Sequence, residues 1–360
     1  MKLHLVGGFL GSGKTTAIIA ASKLLMAQGK KVGVVTNDQG KYLVDTSFFR
    51  LGDVPAVEVT GGCFCCNYDD LAERLNELRN DIQPDVIFAE SVGSCGDLVA
   101  TVIKPLIELA SETVRPTSFS VYTDSRLLQI RLDGDELPFS ENVVYLFDKQ
   151  IEEAGILVVN KSDLLTPGEA DELLTQARIR YPDKIVKLQN STSVEQVQDW
   201  VEMIENGNLK LPEKPLEMDY QRYGDGEAQL AWLDETLHLS VPDGKGDEIV
   251  RRLIGMTLDK LNQRHAPIGH LKFMIQGGDV EQKISITTLQ VPDLQLVIDH
   301  FPGTEINLLV NGRVEMGAEE LQALVQGVVS RVCAETGVEW QEKNVNSFHP
   351  GFPSPKHRMN

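Results

Sequence analysis

The stretch Gly8-Phe9-Leu10-Gly11-Ser12-Gly13-Lys14-Thr15 decides the fold of this sequence. It matches the phosphate-binding pattern G-x-x-x-x-G-K-[ST] at every fixed position. Residues 3–6 before it are typical of a strand and residues 15–26 after it of a helix, which is the context that the motif requires. A glycine-rich turn with a chance Lys-Thr pair is the alternative, but pattern and context together favour a site for nucleotide phosphates.

The residues of this loop have separate predicted roles. Glycines let backbone N–H groups close around phosphate oxygens, and the helix N-terminus adds the positive end of its dipole. Lys14 can reach the β- and γ-phosphates, and the Thr15 hydroxyl can ligate Mg²⁺. The predicted phosphate-binding residues are Gly8, Gly11, Ser12, Gly13, Lys14, Thr15 and Thr16.

Short β-rich runs alternate with helical patterns through the N-terminal half of the chain. Further strands are predicted at 31–36, 56–60, 86–89, 119–122 and 156–159, and a helix over 69–78. This rhythm predicts an α/β fold of the P-loop NTPase type, with a parallel sheet flanked by helices. Ligands of such sheets bind at the carboxyl ends of the strands.

The pattern changes after residue 212, which predicts a second domain. We assign residues 1–212 to the P-loop domain and the polar segment 213–226 to a linker. Residues 227–343 predict a smaller α+β domain of the β-α-β-β-α-β type. Residues 344–360 are rich in Pro, Asn and Gly and are predicted to be an irregular tail.

A second motif, Asn160-Lys161-Ser162-Asp163, follows the apolar run 156–159. N-K-x-D at a strand end is the guanine signature of P-loop GTPases. A carboxylate at Asp163 can accept hydrogen bonds from the N1–H and the exocyclic amine of guanine, a donor pair that adenine lacks. The stem of Lys161 can cover one face of the base. The alternative is a polar turn that caps the following helix.

A third motif, Gly61-Gly62-Cys63-Phe64-Cys65-Cys66, lies between a predicted strand and a predicted helix. Thiolates are soft ligands that suit Zn²⁺, Cu⁺ and related ions. Three sulfurs this close can converge on one ion and leave a fourth position open. Buried structural cysteines or a redox pair are the alternatives. Cys95 could supply a fourth thiolate, although a lone cysteine near a glycine turn is typically a small buried residue.

Composition and charge narrow the expected partners. The chain has 360 residues and a net charge of -19, which disfavours nucleic acid and anionic membrane as general partners. No leader or apolar stretch of spanning length occurs, so we expect a cytoplasmic protein. The five cysteines form no disulfide framework, because their number is odd and three of them cluster. The sequence leaves the oligomeric state open, including a homo-oligomer.

Taken together, the motifs resemble a known family. The quoted segments are Gly-Phe-Leu-Gly-Ser-Gly-Lys-Thr-Thr from Gly8, Gly-Gly-Cys-Phe-Cys-Cys from Gly61, Glu90-x-x-Gly93, and Asn160-Lys161-x-Asp163. In order and spacing they resemble the CobW-like GTPases, metallochaperones related to the GTPases that help to insert nickel into urease and hydrogenase.

The resemblance implies further roles. Glu90 would be the acidic residue near Mg²⁺, and Gly93 would sense the γ-phosphate. Residues 37–40 would be the first switch, with the shorter Asp38 where the family usually has Glu. The implied catalytic residues are Lys14, Asp38 and Glu90, and the implied metal ligands are Thr15 and Glu90 for Mg²⁺ and Cys63, Cys65 and Cys66 for a transition metal.

The sequence also departs from the family. Residues 94–97 read Ser-Cys-Gly-Asp, which replaces a commoner Leu-Ala-Asp-Pro type of run. No histidine-rich stretch is present, so a large metal-storage capacity is not expected. The isolated histidines His265 and His270 are expected to be packed or surface residues rather than ligands.

Two functions are consistent with this reading. The first is a GTP-hydrolysing metallochaperone that couples GTP and Mg²⁺ binding to Zn²⁺ or Co²⁺ binding at the cysteine motif, and delivers the metal to a client protein. The second is a regulatory GTPase switch, or a chaperone for a cofactor-dependent enzyme, with structural or redox cysteines. Metal bound stoichiometrically and lost on Cys65→Ser would separate them. A metabolic kinase is disfavoured by Asp163.

Overall fold

The computed structural model describes residues 1–38, 53–60, 62–109, 115–207 and 209–360, together with Phe49. Of Asp38 it describes the backbone but not the side chain. The chain forms two compact units: Met1–Gly226 with Phe352–Asn360, and Glu227–Gly351.

The first unit is built on a parallel sheet of seven strands. The strands are β1 (Lys2–Gly8), β2 (Val32–Asp38), β3 (Ala56–Thr60), β4 (Val86–Glu90), β5 (Pro116–Asp124), β6 (Ile156–Asn160) and β7 (Ile185–Gln189). Their order across the sheet is β3-β2-β4-β1-β5-β6-β7, and all neighbours are parallel. The strands β4 and β6 are buried at every position, as parallel strands covered on both faces must be. The predicted α/β fold is therefore confirmed.

Eight helices accompany this sheet within the described ranges. They are α1 (Lys14–Ala27), α2 (Tyr68–Asp81), α3 (Lys104–Glu108), α4 (Ser125–Asp133), α5 (Glu141–Glu153), α6 (Pro167–Arg180), α7 (Val194–Asn206) and α8 (Tyr220–Ala228). A π-helical turn, Val99–Ile103, leads into α3. Helix α1 buries Ala17, Ile18 and Ala21 in the same core cluster as Trp200 of α7. The indole of Trp200 also donates to the Ser120 hydroxyl at 3.1 Å, which satisfies its buried polar group.

The second unit is an antiparallel sheet with helices packed against it. Its elements are β8 (Leu230–Ser240), α9 (Gly246–Gln263), β9 (Ile268–Gly277), β10 (Val280–Ile286), α10 (Leu294–Val297), β11 (Glu305–Glu315), α11 (Ala318–Thr336) and β12 (Glu339–Phe348). The strand order is β10-β9-β11-β8-β12. Cys333 lies in the apolar core of this unit.

The structure corrects three details of the sequence-based expectations. The second unit has five strands, so the predicted β-α-β-β-α-β type is wrong. Residues 344–348, predicted to be irregular, belong to β12, whose polar side chains are those of an edge strand paired only with β8. Residues 220–226, predicted to be linker, begin α8, because the Asp219 carboxylate accepts hydrogen bonds from the first-turn N–H groups of Gln221 and Arg222.

No helix in the described part of the chain is both long enough and apolar enough to cross a bilayer.

Candidate functional site

The phosphate-binding motif forms the turn between β1 and α1, at the centre of the sheet edge. Gly8 has φ 126, and a Cβ atom there would lie 2.1 Å from the Tyr122 carbonyl oxygen. Gly13 has φ 91, and a Cβ atom there would lie 2.3 Å from Nδ2 of Asn160. Both positions therefore require glycine, for conformation and for space. Ser12, Lys14 and Thr15 are buried in this turn, whereas Thr16 is exposed.

Two side chains of this turn point toward specific partners. The Lys14 ammonium donates to the carbonyl oxygens of Gly8 at 2.7 Å and Phe9 at 3.2 Å. It therefore lies folded over the loop whose N–H groups would cradle phosphates. The Thr15 hydroxyl donates to Oε1 of Glu90 at 2.8 Å. A hydroxyl beside a buried carboxylate is a hard oxygen donor pair, which is the kind of ligand set that fits Mg²⁺.

Asn160 joins the second motif to the phosphate loop. Its amide donates to the Ser12 carbonyl oxygen at 2.7 Å. Its Oδ1 atom accepts from the backbone N–H of Ser191 at 3.1 Å and from the Ser191 hydroxyl at 2.8 Å. Three loops, after β1, β6 and β7, are thus held together by one side chain. Ser191 was not predicted from the sequence. Its local signal is its place just after β7, and that strand was not predicted either.

The rest of the second motif forms a tight turn after β6. Lys161 has φ 62, and its ammonium lies 3.0 Å from the Asp124 carboxylate. Burial raises the pKa of Asp124, but Arg126 and Lys161 outweigh burial, so the pKa lies below its ordinary value. Asp163 lies in the following 3-10 turn and is exposed, so its carboxylate is accessible to a ligand. Asp124 is a second residue that sequence reasoning missed.

The third motif brings its three thiols together. The sulfurs of Cys63, Cys65 and Cys66 all lie within 4.8 Å of one another. The Sγ atoms of Cys63 and Cys65 are 2.8 Å apart, and those of Cys65 and Cys66 are 3.8 Å apart. Within the described residues, this is the one cluster of His, Cys, Asp and Glu side chains close enough to hold an ion. Gly61, the first residue of the motif, lies outside the described residues.

Asn37, at the end of β2, holds the cysteine loop in place. Its amide donates to the carbonyl oxygens of Val59 at 3.1 Å and Gly62 at 2.8 Å, and its oxygen accepts from the Phe64 N–H at 2.8 Å. The side chain of the neighbouring Asp38, predicted to be catalytic, lies outside the described part of the chain. Residues 39 and 40 lie outside it entirely. Sequence reasoning placed Asn37 in the first switch but missed this contact.

The thiols perturb one another. Hydrogen bonds from the thiols of Cys65, Cys66 and Cys95 lower the pKa of Cys63 well below its ordinary value. The hydrogen bond with Cys63 raises the pKa of Cys65, and the same partner raises that of Cys66 to about 11. The neighbouring S–H donors therefore favour loss of the Cys63 proton. A cluster of thiols of this kind is suited to a thiophilic cation.

Glu90 is the last residue of β4, and Gly93 lies on the segment that follows. A Cβ atom on Gly93 would lie 2.6 Å from Cδ2 and 3.1 Å from Cα of Leu10, so this segment is packed directly on the phosphate loop. The predicted phosphate loop, acidic residue and sensor glycine therefore lie together.

His270, expected not to be a ligand, contacts Oδ1 of Asn311 at 2.8 Å.

Comparison with known proteins finds similar sequences and a similar solved structure. A zinc chaperone CobW from Sinorhizobium sp is 29% identical over 181 residues, which cover 44% of this chain and 50% of that protein. A zinc chaperone YeiR from Escherichia coli strain K12 is 32% identical over 178 residues, covering 48% and 50%. A crystal structure of HypB from Helicobacter pylori in complex with nickel aligns with a TM-score of 0.43 at 14% identity, over 58% of this chain and 90% of that one.

The chain spans about half the length of the curated relatives that it matches. The family model described as CobW/HypB/UreG, nucleotide-binding domain, matches residues 2–186, which are 185 of the 360 residues. This segment contains all of the motifs described above, and the resemblance seen in them is confirmed. The chain belongs to the CobW/HypB/UreG family of nucleotide-binding domains.

Proposed function

We propose that this protein is a GTP-hydrolysing metallochaperone that binds Zn²⁺ at Cys63, Cys65 and Cys66 and passes it to a client metalloprotein. The observation that carries the proposal is the convergence of three thiol sulfurs within 4.8 Å on a loop that is tied to β2. The two relatives named zinc chaperones support zinc as the cargo. Co²⁺ suits the same soft ligands.

The nucleotide half of the proposal uses the residues around the phosphate loop. Lys14 would neutralise charge on the β- and γ-phosphates, and Thr15 and Glu90 would hold Mg²⁺. That ion, when bound, would neutralise negative charge on the phosphates. Asp163 would accept hydrogen bonds from the N1–H and the exocyclic amine of guanine. Gly93 would contact the γ-phosphate. A catalytic role for Asp38 belongs to the same proposal.

Coupling between nucleotide and metal follows from chain connectivity. The cysteine loop is held by Asn37 at the end of β2, next to the proposed first switch. The other nucleotide-contacting segment begins at Glu90 and is packed on the phosphate loop at Gly93. If GTP favours the arrangement in which the sulfurs converge, the metal must favour GTP by the same coupling free energy.

We expect the metal affinity to depend on the nucleotide. With a non-hydrolysable GTP analogue, Zn²⁺ should bind about 5–150-fold more tightly than with GDP, which is the usual range of allosteric coupling. The affinity should also fall as the pH drops, because thiolates must lose protons to bind metal. The measurement is a titration against a chromogenic chelator, with protein loaded with GTP analogue, GDP or no nucleotide.

Matched variants define the site in that titration. Cys65→Ser should abolish stoichiometric binding, whereas Cys333→Ser, in the core of the second unit, should not change it. Equal metal affinity in all three nucleotide states would contradict the chaperone mechanism. It would instead favour the alternative of a regulatory GTPase with structural cysteines, a reading supported by the complete burial of Cys65.

A further inference from the structure

Cys95 lies on the segment that follows β4, five residues after Glu90. It is completely buried, and its backbone is held at both ends. Its N–H donates to the Val92 carbonyl oxygen at 3.0 Å, and its own carbonyl oxygen accepts from the Gln150 amide at 2.8 Å. The side chain therefore leaves the backbone at a defined position.

That position faces the cysteine loop. The Cys95 thiol is close enough to the thiols of Cys63 and Cys65, the two buried members of the cluster, to act on both of them. It lies outside the group of three whose sulfurs are all within 4.8 Å. A small movement of the segment after β4 would therefore bring a fourth sulfur into the cluster or take it away.

We propose that Cys95 is the fourth, exchangeable thiolate ligand of the metal site. The proposal rests on the proposed function and extends it. Zinc held by four thiolates is closed and tetrahedral, whereas zinc held by three keeps a position open for exchange. Cys95 is two residues from Gly93, which is packed on Leu10 of the phosphate loop. Nucleotide-dependent movement at Gly93 would thus add or withdraw the Cys95 sulfur, and so close the site for carriage or open it for transfer.

X-ray absorption of the zinc-loaded, unsubstituted protein tests the ligand count directly. We expect four sulfur neighbours at about 2.3 Å with GTP analogue, and three with one lighter neighbour with GDP. Three sulfurs in both states would overturn the inference. This measurement needs no substitution, so a folding defect in a variant cannot obscure it.

Cobalt substitution gives a second readout. With Co²⁺ and GTP analogue, Cys95→Ser and Cys95→Ala should both lose part of the thiolate-to-cobalt charge-transfer absorption. They should also bind Co²⁺ at least about tenfold more weakly, the lower limit seen when even an outer-shell partner is lost. Cys333→Ser is the control. Unchanged spectra would show that Cys95 is only a packing residue. If the unsubstituted protein itself failed to bind Co²⁺, that result would instead contradict the proposed function.

A separate set of contacts concerns residues 352–360, here called the return segment. It belongs to the first unit and crosses the cysteine loop. The Ser354 N–H donates to Sγ of Cys66 at 3.4 Å, and the Lys356 N–H donates to the Cys65 carbonyl oxygen at 2.9 Å. The ring of His357 packs edge-on against Tyr68 with centroids 5.0 Å apart. The return segment therefore covers the outermost thiol.

The return segment is anchored on the far side of the site. The Arg358 guanidinium donates to Oδ2 of Asp97 at 2.8 Å and to the Leu216 carbonyl oxygen at 2.9 Å. Asp97 is completely buried, and its Oδ2 atom also accepts from the Tyr220 hydroxyl at 2.7 Å. The Met359 N–H donates to the carbonyl oxygen of Ala100 at 2.9 Å. We infer that the return segment is a lid over Cys66, held shut by the Arg358–Asp97 ion pair.

Alkylation of Cys66 in the metal-free protein tests this lid. Arg358→Gln should raise the rate of Cys66 modification by iodoacetamide about tenfold, the effect of losing one charge-assisted hydrogen bond from the closed state. Arg331→Gln, which removes an exposed ion pair in the second unit, is the control. Equal modification rates in the unsubstituted protein and in Arg358→Gln would overturn the lid, and this result is independent of metal binding.

Discussion

Lys14→Ala and Thr15→Ala should each slow GTP hydrolysis by at least about 100-fold while the fold stays intact. Lys14 is buried in the phosphate loop, so its loss removes positive charge at the place where phosphate charge would develop. Thr15 lies 2.8 Å from Glu90, so its loss removes one of the two oxygen donors proposed for Mg²⁺. Phosphate release under single-turnover conditions, with circular dichroism as the test of folding, gives the measurement.

The matched control for this prediction is Lys23→Ala. Lys23 lies on the same helix, α1, but is exposed, so its loss should leave hydrolysis unchanged. Near-normal turnover in a well-folded Lys14→Ala protein would remove the phosphate loop from the mechanism.

Asp163→Ala should weaken GTP binding by about 1.5–3 kcal/mol, which is about 10–150-fold, and should leave ATP binding nearly unchanged. The carboxylate is exposed in the turn after β6 and can accept the two donors on the edge of guanine. Adenine does not present that pair, so only the guanine nucleotide loses binding energy. Competition of labelled GTP by unlabelled GTP and ATP measures both affinities.

Asp171→Ala supplies the control for charge, because Asp171 is an exposed carboxylate on the next helix, α6. It should change neither affinity. If ATP displaces GTP from the unsubstituted protein at equal concentration, the assignment of Asp163 as the base-reading residue is untenable.

The parts of this molecule that the sequence predicted are those encoded locally. The phosphate loop is a contiguous pattern, and strands such as β4 and β6 are short apolar runs with clear ends. Strand β7 was missed because its sequence, Ile-Val-Lys-Leu-Gln, mixes polar and apolar residues. Strand β12 was missed because an edge strand can be polar and still pair.

The parts that escaped prediction depend on contacts between distant segments. Asn160 bonds to Ser12 across 148 positions of sequence, and Ser354 bonds to Cys66 across 288. Neither separation leaves a local signal, since an asparagine or a serine is common in any loop. Cys95 remained an open question for the same reason: its distance from the cysteine motif along the chain says nothing about its distance in space.

The three hydrogen bonds of Asn37 have a consequence for how the metal site can respond. Both N–H donors and the oxygen of this one amide are spent on the backbone around the cysteine loop. The end of β2 and the backbone on both sides of Cys63 are therefore joined, so we expect a shift of that strand to move the start of the cysteine loop with it. A translation of the whole loop leaves the distances between its sulfurs unchanged, so it cannot by itself loosen an ion. A change in the ligand set between nucleotide states would then come from Cys95, on the chain after β4, which is outside the hydrogen bonds of Asn37.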